Sequence, residues 1–159
     1  EEKKYLLTYY LDMFRTTLFR QTMFAEFEKI SHSMASKGMP LTPKSLSDKY
    51  YKLNKKYYGS AVTHDNLIRY EWARIPHFYT AFYVYKYATG ITSAVNIASD
   101  ILREGAPAVE RYKKFLQSGG SNSPYELLKI ANVDLMTKAP FEKAMGEFKE
   151  TLEELKKEF

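Results

Sequence analysis

Side chains that can donate hydrogen bonds or bind a ligand are concentrated in residues 70–90. This stretch has eight aromatic residues in twenty-one positions, whereas aromatics make up 16% of the 159-residue chain. It holds the only Trp, five of the fourteen Tyr, and His77, which is one of three His. Tyrosine and histidine both donate and accept hydrogen bonds as well as pack. The stretch is therefore either an aromatic core or the lining of a site that holds a polar ligand.

Helical spacing does not decide between a core and a site. Pro76 interrupts whatever precedes it, and residues 78–104 are predicted to form a helix. On such a helix Phe78, Phe82 and Tyr85 share one stripe. A helix that is aromatic most of the way round is largely buried, yet buried Tyr hydroxyls need partners. Several of these polar tips are therefore expected to meet polar groups, water or a ligand.

The elements that position this stretch are predicted to be helices throughout. Apolar residues recur at helical steps, and neither a strand pattern nor an internal repeat is present. The sequence therefore predicts one all-α domain over residues 1–159, with six or seven helices and a long N-terminal helix. The predicted helices are residues 3–34, 43–58, 66–73, 78–104, 107–118, 124–131 and 140–157. Their predicted end signals are N-caps at Thr42, Asp65 and Ser123, prolines at the first positions 43 and 124, and a stop at Gly59.

Composition limits the classes of partner and compartment. The net charge is +5, but Lys and Arg are spread along the chain, and no known binding signature accompanies the basic group at residues 44–56. That group is interpreted as a solvated basic face, and no nucleic acid is expected as a partner. The least charged run, residues 87–99, is too short for a membrane span, which needs about twenty apolar residues. The absence of Cys fits a reducing cytoplasm, where the protein is expected to reside.

Three stretches of the sequence resemble parts of a known family and follow one another in the same order as in that family. Residues 74–79 read Arg-Ile-Pro-His-Phe-Tyr, and residues 82–90 read Phe-Tyr-Val-Tyr-Lys-Tyr-Ala-Thr-Gly. Residues 19–28 and the Gly-Gly-Ser run that leads into residues 124–128 agree as well. Together they resemble the C-terminal part of bacterial oligoendopeptidase F, within the thimet-type zinc oligopeptidases. The resemblance covers nearly the whole chain and implies the C-terminal part of a larger helical peptidase.

One departure from that family concerns the metal. Its members carry His-Glu-x-x-His on a helix and a later Glu as the third zinc ligand. This sequence has no such motif, and His32, His64 and His77 lie 32 and 13 residues apart. The resemblance therefore implies zinc in the parent enzyme and none in this chain, which is expected to be an inactive C-terminal fragment in isolation. Its implied partners are an oligopeptide substrate and the missing N-terminal part of the same enzyme, and self-association of the fragment is expected.

The resemblance also implies which residues act on a peptide. His77 and Tyr85 match positions that donate hydrogen bonds to the tetrahedral intermediate, so both are predicted to be catalytic. Tyr79 and Tyr83 are weaker candidates for that role, because on one helix neither would point the same way as Tyr85. Both are predicted to bind substrate. Thimet-type relatives have Tyr seven residues before the second Tyr, where this chain has Phe78. Tyr79 is therefore a possible substitute.

The loop with Gly119 and Gly120 is predicted to bind substrate, because glycine permits close approach to a peptide backbone. A simple turn is the alternative for this loop. For the whole chain the alternative is a non-catalytic helical domain that binds peptides or a protein through an aromatic groove.

Overall fold

Helices make up all of the regular structure in the computed structural model, which describes every residue from 1 to 159. A π-helical segment, Phe14–Phe19, and two 3-10 helices, Asn66–Arg74 and Pro76–Tyr79, accompany seven α-helices. The α-helices are α1 Glu2–Met13, α2 Arg20–Ser36, α3 Pro43–Tyr58, α4 Tyr85–Glu104, α5 Ala106–Gln117, α6 Pro124–Ile130 and α7 Ala139–Lys156. The prediction of an all-α fold is confirmed. None of these helices combines the length and apolar character that a membrane crossing needs.

The predicted long N-terminal helix is present but interrupted. The chain is helical from Glu2 to Ser36, and the π-helical segment separates α1 from α2. A π-turn is wider than an α-turn, so the side chains that follow it lie at angles that a regular period does not give.

Two compact units divide the chain. One consists of Glu1–Phe14 and Thr89–Phe159, and the other of Arg15–Ala88. The prediction of a single domain over residues 1–159 stays a prediction.

In the unit of residues 15–88, α2 and α3 pack together and the first 3-10 helix packs on α3. Their shared core is aromatic and aliphatic, and it consists of Met23, Phe24, Phe27, Tyr50, Leu53, Ile75 and Val84. Helix α3 has the predicted ends: Thr42 caps it in a reciprocal box with Ser45, Pro43 opens it, and Gly59 ends it at φ +70°.

In the other unit, α1 packs on α7 and α5 packs on α6. Helix α4 is joined to α7 by polar groups. The Asn96 amide donates to the Pro140 carbonyl at 2.7 Å, and the Ser99 hydroxyl donates to Glu147 at 2.7 Å. Ser123 caps α6, and Pro124 lies in its first turn as predicted.

The predicted helix of residues 78–104 is wrong at its beginning. Helix α4 starts only at Tyr85, and residues 80–84 have no regular structure. Thr80 is extended, and Phe82 has φ +56°. A left-handed residue cannot continue an α-helix, so the aromatic run is divided between a 3-10 helix, a turn and the first turn of α4.

Candidate functional site

The turn between the second 3-10 helix and α4 brings three ring side chains together, two of which are predicted site residues. Ile75 is buried, and Pro76 opens the 3-10 helix that carries His77. After the irregular residues 80–84 the chain returns, so that Tyr83 and Tyr87 lie against His77. We call His77, Tyr83 and Tyr87 the His77 cluster.

The rings of the His77 cluster contact each other in all three pairs. His77 and Tyr83 are stacked with centroids 5.7 Å apart, and Tyr87 meets His77 edge-on at 5.8 Å. Tyr83 and Tyr87 are themselves 5.6 Å apart at 77°. The Tyr87 hydroxyl and His77 Nε2 are within 3.3 Å, with the direction of donation set by the imidazole tautomer.

All three side chains of the cluster are exposed. A hydrogen bond with Tyr83 raises the pKa of Tyr87 above its ordinary value. The ammonium of Lys86 lies 5.2 Å from the centre of the Tyr83 ring. The Tyr87 hydroxyl carries its proton near neutral pH, as an ordinary tyrosine does, and can act as a hydrogen-bond donor. The cluster therefore presents an imidazole and phenol hydroxyls to solvent in a fixed arrangement.

Packing below the cluster anchors the segment from both ends. Phe78 meets Phe24 and Phe27 with ring centroids 5.5 and 5.3 Å apart, so it belongs to the core. At the other end, the Phe82 N–H donates to a Glu28 carboxylate oxygen at 2.5 Å. The left-handed conformation of Phe82 costs about 1–2 kcal/mol. Contacts of Phe82 with Glu28 and His32 of α2, which are distant in sequence, offset this cost.

A buried carboxylate fixes the 3-10 helix that leads into His77. Glu71 is 7% exposed and accepts two hydrogen bonds from Arg20, at 2.7 and 3.2 Å. The Tyr50 hydroxyl donates to it at 2.5 Å, and Arg74 donates at 2.6 Å. Burial alone would raise the pKa of Glu71, but hydrogen bonds from Arg20 and Tyr50 outweigh it and lower the pKa. Burial, followed by the bond to Glu71, raises the pKa of Tyr50.

The structure places the predicted tyrosines differently from one another. Tyr83 contacts His77 directly, whereas Tyr79 is 89% exposed at the end of its 3-10 helix. Tyr85 is half exposed as the first residue of α4, two positions before Tyr87. Helix phase does not separate Tyr83 from Tyr85 as predicted, because Tyr83 precedes α4, which begins at Tyr85. Tyr87 was missed as a site residue, although it stands in the motif at residues 82–90.

The predicted glycine loop follows α5. Gly119 has φ +51°, and the space around a Cβ at Gly119 or Gly120 is open. The left-handed φ explains Gly119 as a turn residue. Substrate binding by the pair stays a prediction.

The three histidines of this chain lie in separate surroundings. No group of three or more His, Cys, Asp or Glu side chains that could hold a metal ion is present. His64 lies between the Asn54 side-chain oxygen at 2.8 Å and the Gly59 carbonyl at 2.7 Å, and His32 packs on Phe82. Asp65 caps the first 3-10 helix by accepting from the Leu67 N–H, as predicted.

Comparison with known proteins gives consistent matches over the whole chain. The model of peptidase family M3 matches residues 1–147. The chain is 50% identical over 155 residues to oligopeptidase PepF of Bacillus subtilis strain 168, covering 98% of this chain and 23% of that protein. It is 48% identical over 156 residues to an oligoendopeptidase F homolog of Borreliella burgdorferi, covering 98% of this chain and 26% of that protein.

A solved structure agrees with these sequence matches. The crystal structure of oligoendopeptidase-F from Enterococcus faecium superposes with a TM-score of 0.93 at 48% identity, covering 98% of this chain and 30% of that chain. The chain thus spans about a quarter of the length of the curated relatives it matches. These matches confirm the resemblance inferred from the motifs in residues 19–28 and 74–90.

Proposed function

The chain belongs to peptidase family M3, and from this premise we propose that it forms part of an oligopeptidase that hydrolyses short peptides. Within that enzyme it supplies hydrogen-bond donors that bind the substrate and stabilise the reacting carbonyl. The observation that carries this proposal is the His77 cluster, in which an imidazole and two phenols are held together on an exposed surface.

Peptide hydrolysis needs donors of this kind. Attack on the carbonyl carbon produces a tetrahedral intermediate with negative charge on oxygen. Donors that are already positioned where this charge develops lower the barrier, and losing one typically costs about 10²–10³-fold in rate. The contact between His77 and Tyr87 at 3.3 Å lets the pair act as a unit. When His77 Nε2–H donates to the Tyr87 oxygen, the Tyr87 O–H, which bonds Tyr83 in the chain without substrate, can turn to donate to the substrate oxygen.

Two tyrosines of α4 compete for this role. The family motif favours Tyr85, and the ring contacts favour Tyr87. At 3.6 residues per turn, positions two apart on a helix differ by about 200° in direction. The two hydroxyls therefore do not act at the same point, and only one is expected to reach the reacting oxygen beside His77.

Zinc and the general base belong, in this proposal, to a part of the protein outside these 159 residues. The described side chains hold no ligand set for the metal, so no step is assigned to it. Tyr79 is proposed to bind the peptide substrate. Substrate binding is proposed separately for the Gly119–Gly120 turn.

Steady-state kinetics of the intact protein, with a short fluorogenic peptide, tests the proposal. Tyr87→Phe and Tyr85→Phe each remove only a hydroxyl. The variant that lacks the reacting donor is expected to lose about 10²-fold or more in kcat with little change in KM. Tyr9→Phe, on exposed α1, is the matched control and should keep normal kinetics.

The outcomes separate the two candidate functions. Unchanged kcat in both variants would refute the assignment of the donor to this cluster. An intact protein that binds the peptide without cleaving it would refute hydrolysis and support the alternative, a non-catalytic peptide-binding domain.

A further inference from the structure

The carboxylate of Glu28 contacts the turn at residues 80–84, which leads into the His77 cluster. Its side chain is on α2 and is only 4% exposed. One of its oxygens accepts the Phe82 N–H at 2.5 Å, across 54 positions of sequence. A buried carboxylate is unfavourable unless hydrogen bonds satisfy it, and the Phe82 N–H supplies one of them.

The same face of α2 holds the Phe82 side chain. His32 lies one turn after Glu28, and its ring is 4.6 Å from the ring of Phe82. The backbone and the side chain of one residue are therefore both held by α2. That residue has φ +56°, which a bulky aromatic rarely adopts.

We propose that Glu28 is a positioning residue for the His77 cluster: by holding the Phe82 N–H it fixes the left-handed turn that brings Tyr83 onto His77. Phe82 is adjacent to Tyr83, so a change of the Phe82 backbone to a right-handed or extended conformation redirects Tyr83. The stacked contact at 5.7 Å between His77 and Tyr83 depends on this direction. The catalytic consequence rests on the proposed function, whereas the positioning itself does not.

The geometry is tested by nuclear magnetic resonance on the 159-residue chain. In the unaltered protein, proton contacts between the His77 and Tyr83 rings are expected. The Phe82 amide should also exchange more slowly than the exposed Ala81 amide beside it. Rapid exchange at Phe82 in the unaltered chain would overturn the proposal before any substitution is made.

Two substitutions at one position separate positioning from general packing. Glu28→Ala removes the acceptor, and the His77–Tyr83 contacts are expected to disappear. Glu28→Gln keeps a side-chain carbonyl that can accept the Phe82 N–H, so these contacts should be retained. Glu26→Ala and Glu26→Gln are matched controls, because Glu26 is on the same helix but bonds Lys56 and Tyr57 of α3.

A folded Glu28→Ala variant that retains the ring contacts would overturn the proposal. If Glu28→Ala does not fold, Glu28→Gln still tests the proposal. Loss of the His77–Tyr83 ring contacts in a folded Glu28→Gln variant would contradict the role of the carbonyl acceptor. A purely structural Glu28 would lower the unfolding temperature and leave the cluster intact.

In the intact enzyme, Glu28→Ala is expected to lower kcat by up to about 10²-fold, since misplacing a catalytic group by about 1 Å can cost that much. KM should change little, and Glu28→Gln should restore most of kcat. An intact protein without peptidase activity would refute the proposed function but would not affect the magnetic resonance result. Failure of the proposed function and failure of the positioning role of Glu28 are therefore distinguishable.

Discussion

Replacing Glu71 with Gln tests how strongly the structure beneath the site is held by one charge. Glu71 joins three elements, because its carboxylate accepts from Arg20 of α2, Tyr50 of α3 and Arg74 of its own 3-10 helix. Gln keeps the shape and one acceptor but removes the charge. It also turns an N–H₂ group toward donors that need an acceptor.

The magnitude follows from how buried each partner is. Arg20 is 26% exposed against 6% for the Glu71 side chain, and removing one partner from a buried pair costs about 3–5 kcal/mol. The Tyr50 side chain is fully buried, and a hydrogen bond to a charged group is worth about 1.5–3 kcal/mol. Arg74 is 72% exposed and adds at most about 1 kcal/mol.

These contributions overlap, because all three donors share one carboxylate. Arg20 also keeps some contact with water, and Gln retains one acceptor. The expected loss is therefore near the low end of the range for buried pairs, about 3–4 kcal/mol. At about 2–4 °C per kcal/mol for a chain of this size, Tm should fall by about 6–16 °C.

Urea unfolding followed by circular dichroism measures the free energy of unfolding, and a thermal scan measures Tm. Asp48→Asn is the matched control, because the same carboxylate-to-amide change removes an exposed pair with Lys44. An exposed pair of this kind contributes little to the free energy of unfolding. If Glu71→Gln costs no more than Asp48→Asn, the view of Glu71 as the anchor of this region is refuted.

Two further predictions concern pH and association. The pKa of Glu71 is lowered from 4.5, so the stability that Glu71 contributes is present above pH 4.5 and is lost as the pH falls below it. The pKa of Tyr50 is raised from 10.0, so the stability that Tyr50 contributes is present below pH 10 and is lost as the pH rises above it. Unfolding in urea from pH 3 to 11 measures both limbs, and Tyr50→Phe should reduce the alkaline limb; equal alkaline loss in that variant would contradict the assignment. Several large apolar side chains, including Leu6, Leu102 and Met136, are highly exposed, so the 159-residue chain is expected to self-associate; a monomeric mass by light scattering at high concentration would count against this.

Local signals in the sequence predicted several helix ends correctly. The main error is the predicted beginning of α4, and a contact between residues distant in sequence explains it. The cap at Thr42, the stop at Gly59 and the cap at Ser123 depend on neighbouring residues only, and all are present. The beginning of α4 depends instead on Phe82, whose N–H is held by Glu28 far away in sequence. No periodic pattern encodes that bond. Tyr87 was missed for the same reason, because its contact with His77 exists only when residues 80–84 turn.

Whether the aromatic stretch is a core or a site has a different answer for different residues. Phe78 and Trp72 point inward and meet Phe27, and the Trp72 N–H finds the Ser47 hydroxyl at 3.0 Å. The tyrosines of the stretch face outward to different degrees, with Tyr79 almost fully exposed.

This division follows from what each side chain carries. A Phe ring gains free energy only by burial, whereas a Tyr hydroxyl left without a partner inside the core would cost free energy. Phe82 is the exception, because it is 53% exposed in its left-handed turn. The surface that results is apolar on its ring faces and rich in hydrogen-bond donors at its tips. Such a surface matches an extended peptide, whose side chains pack on rings while its carbonyls accept from hydroxyls. Recognition of the peptide backbone by Tyr tips is therefore expected to tolerate many side chains, and a panel of peptides of one length but varied sequence should show KM values within a narrow range.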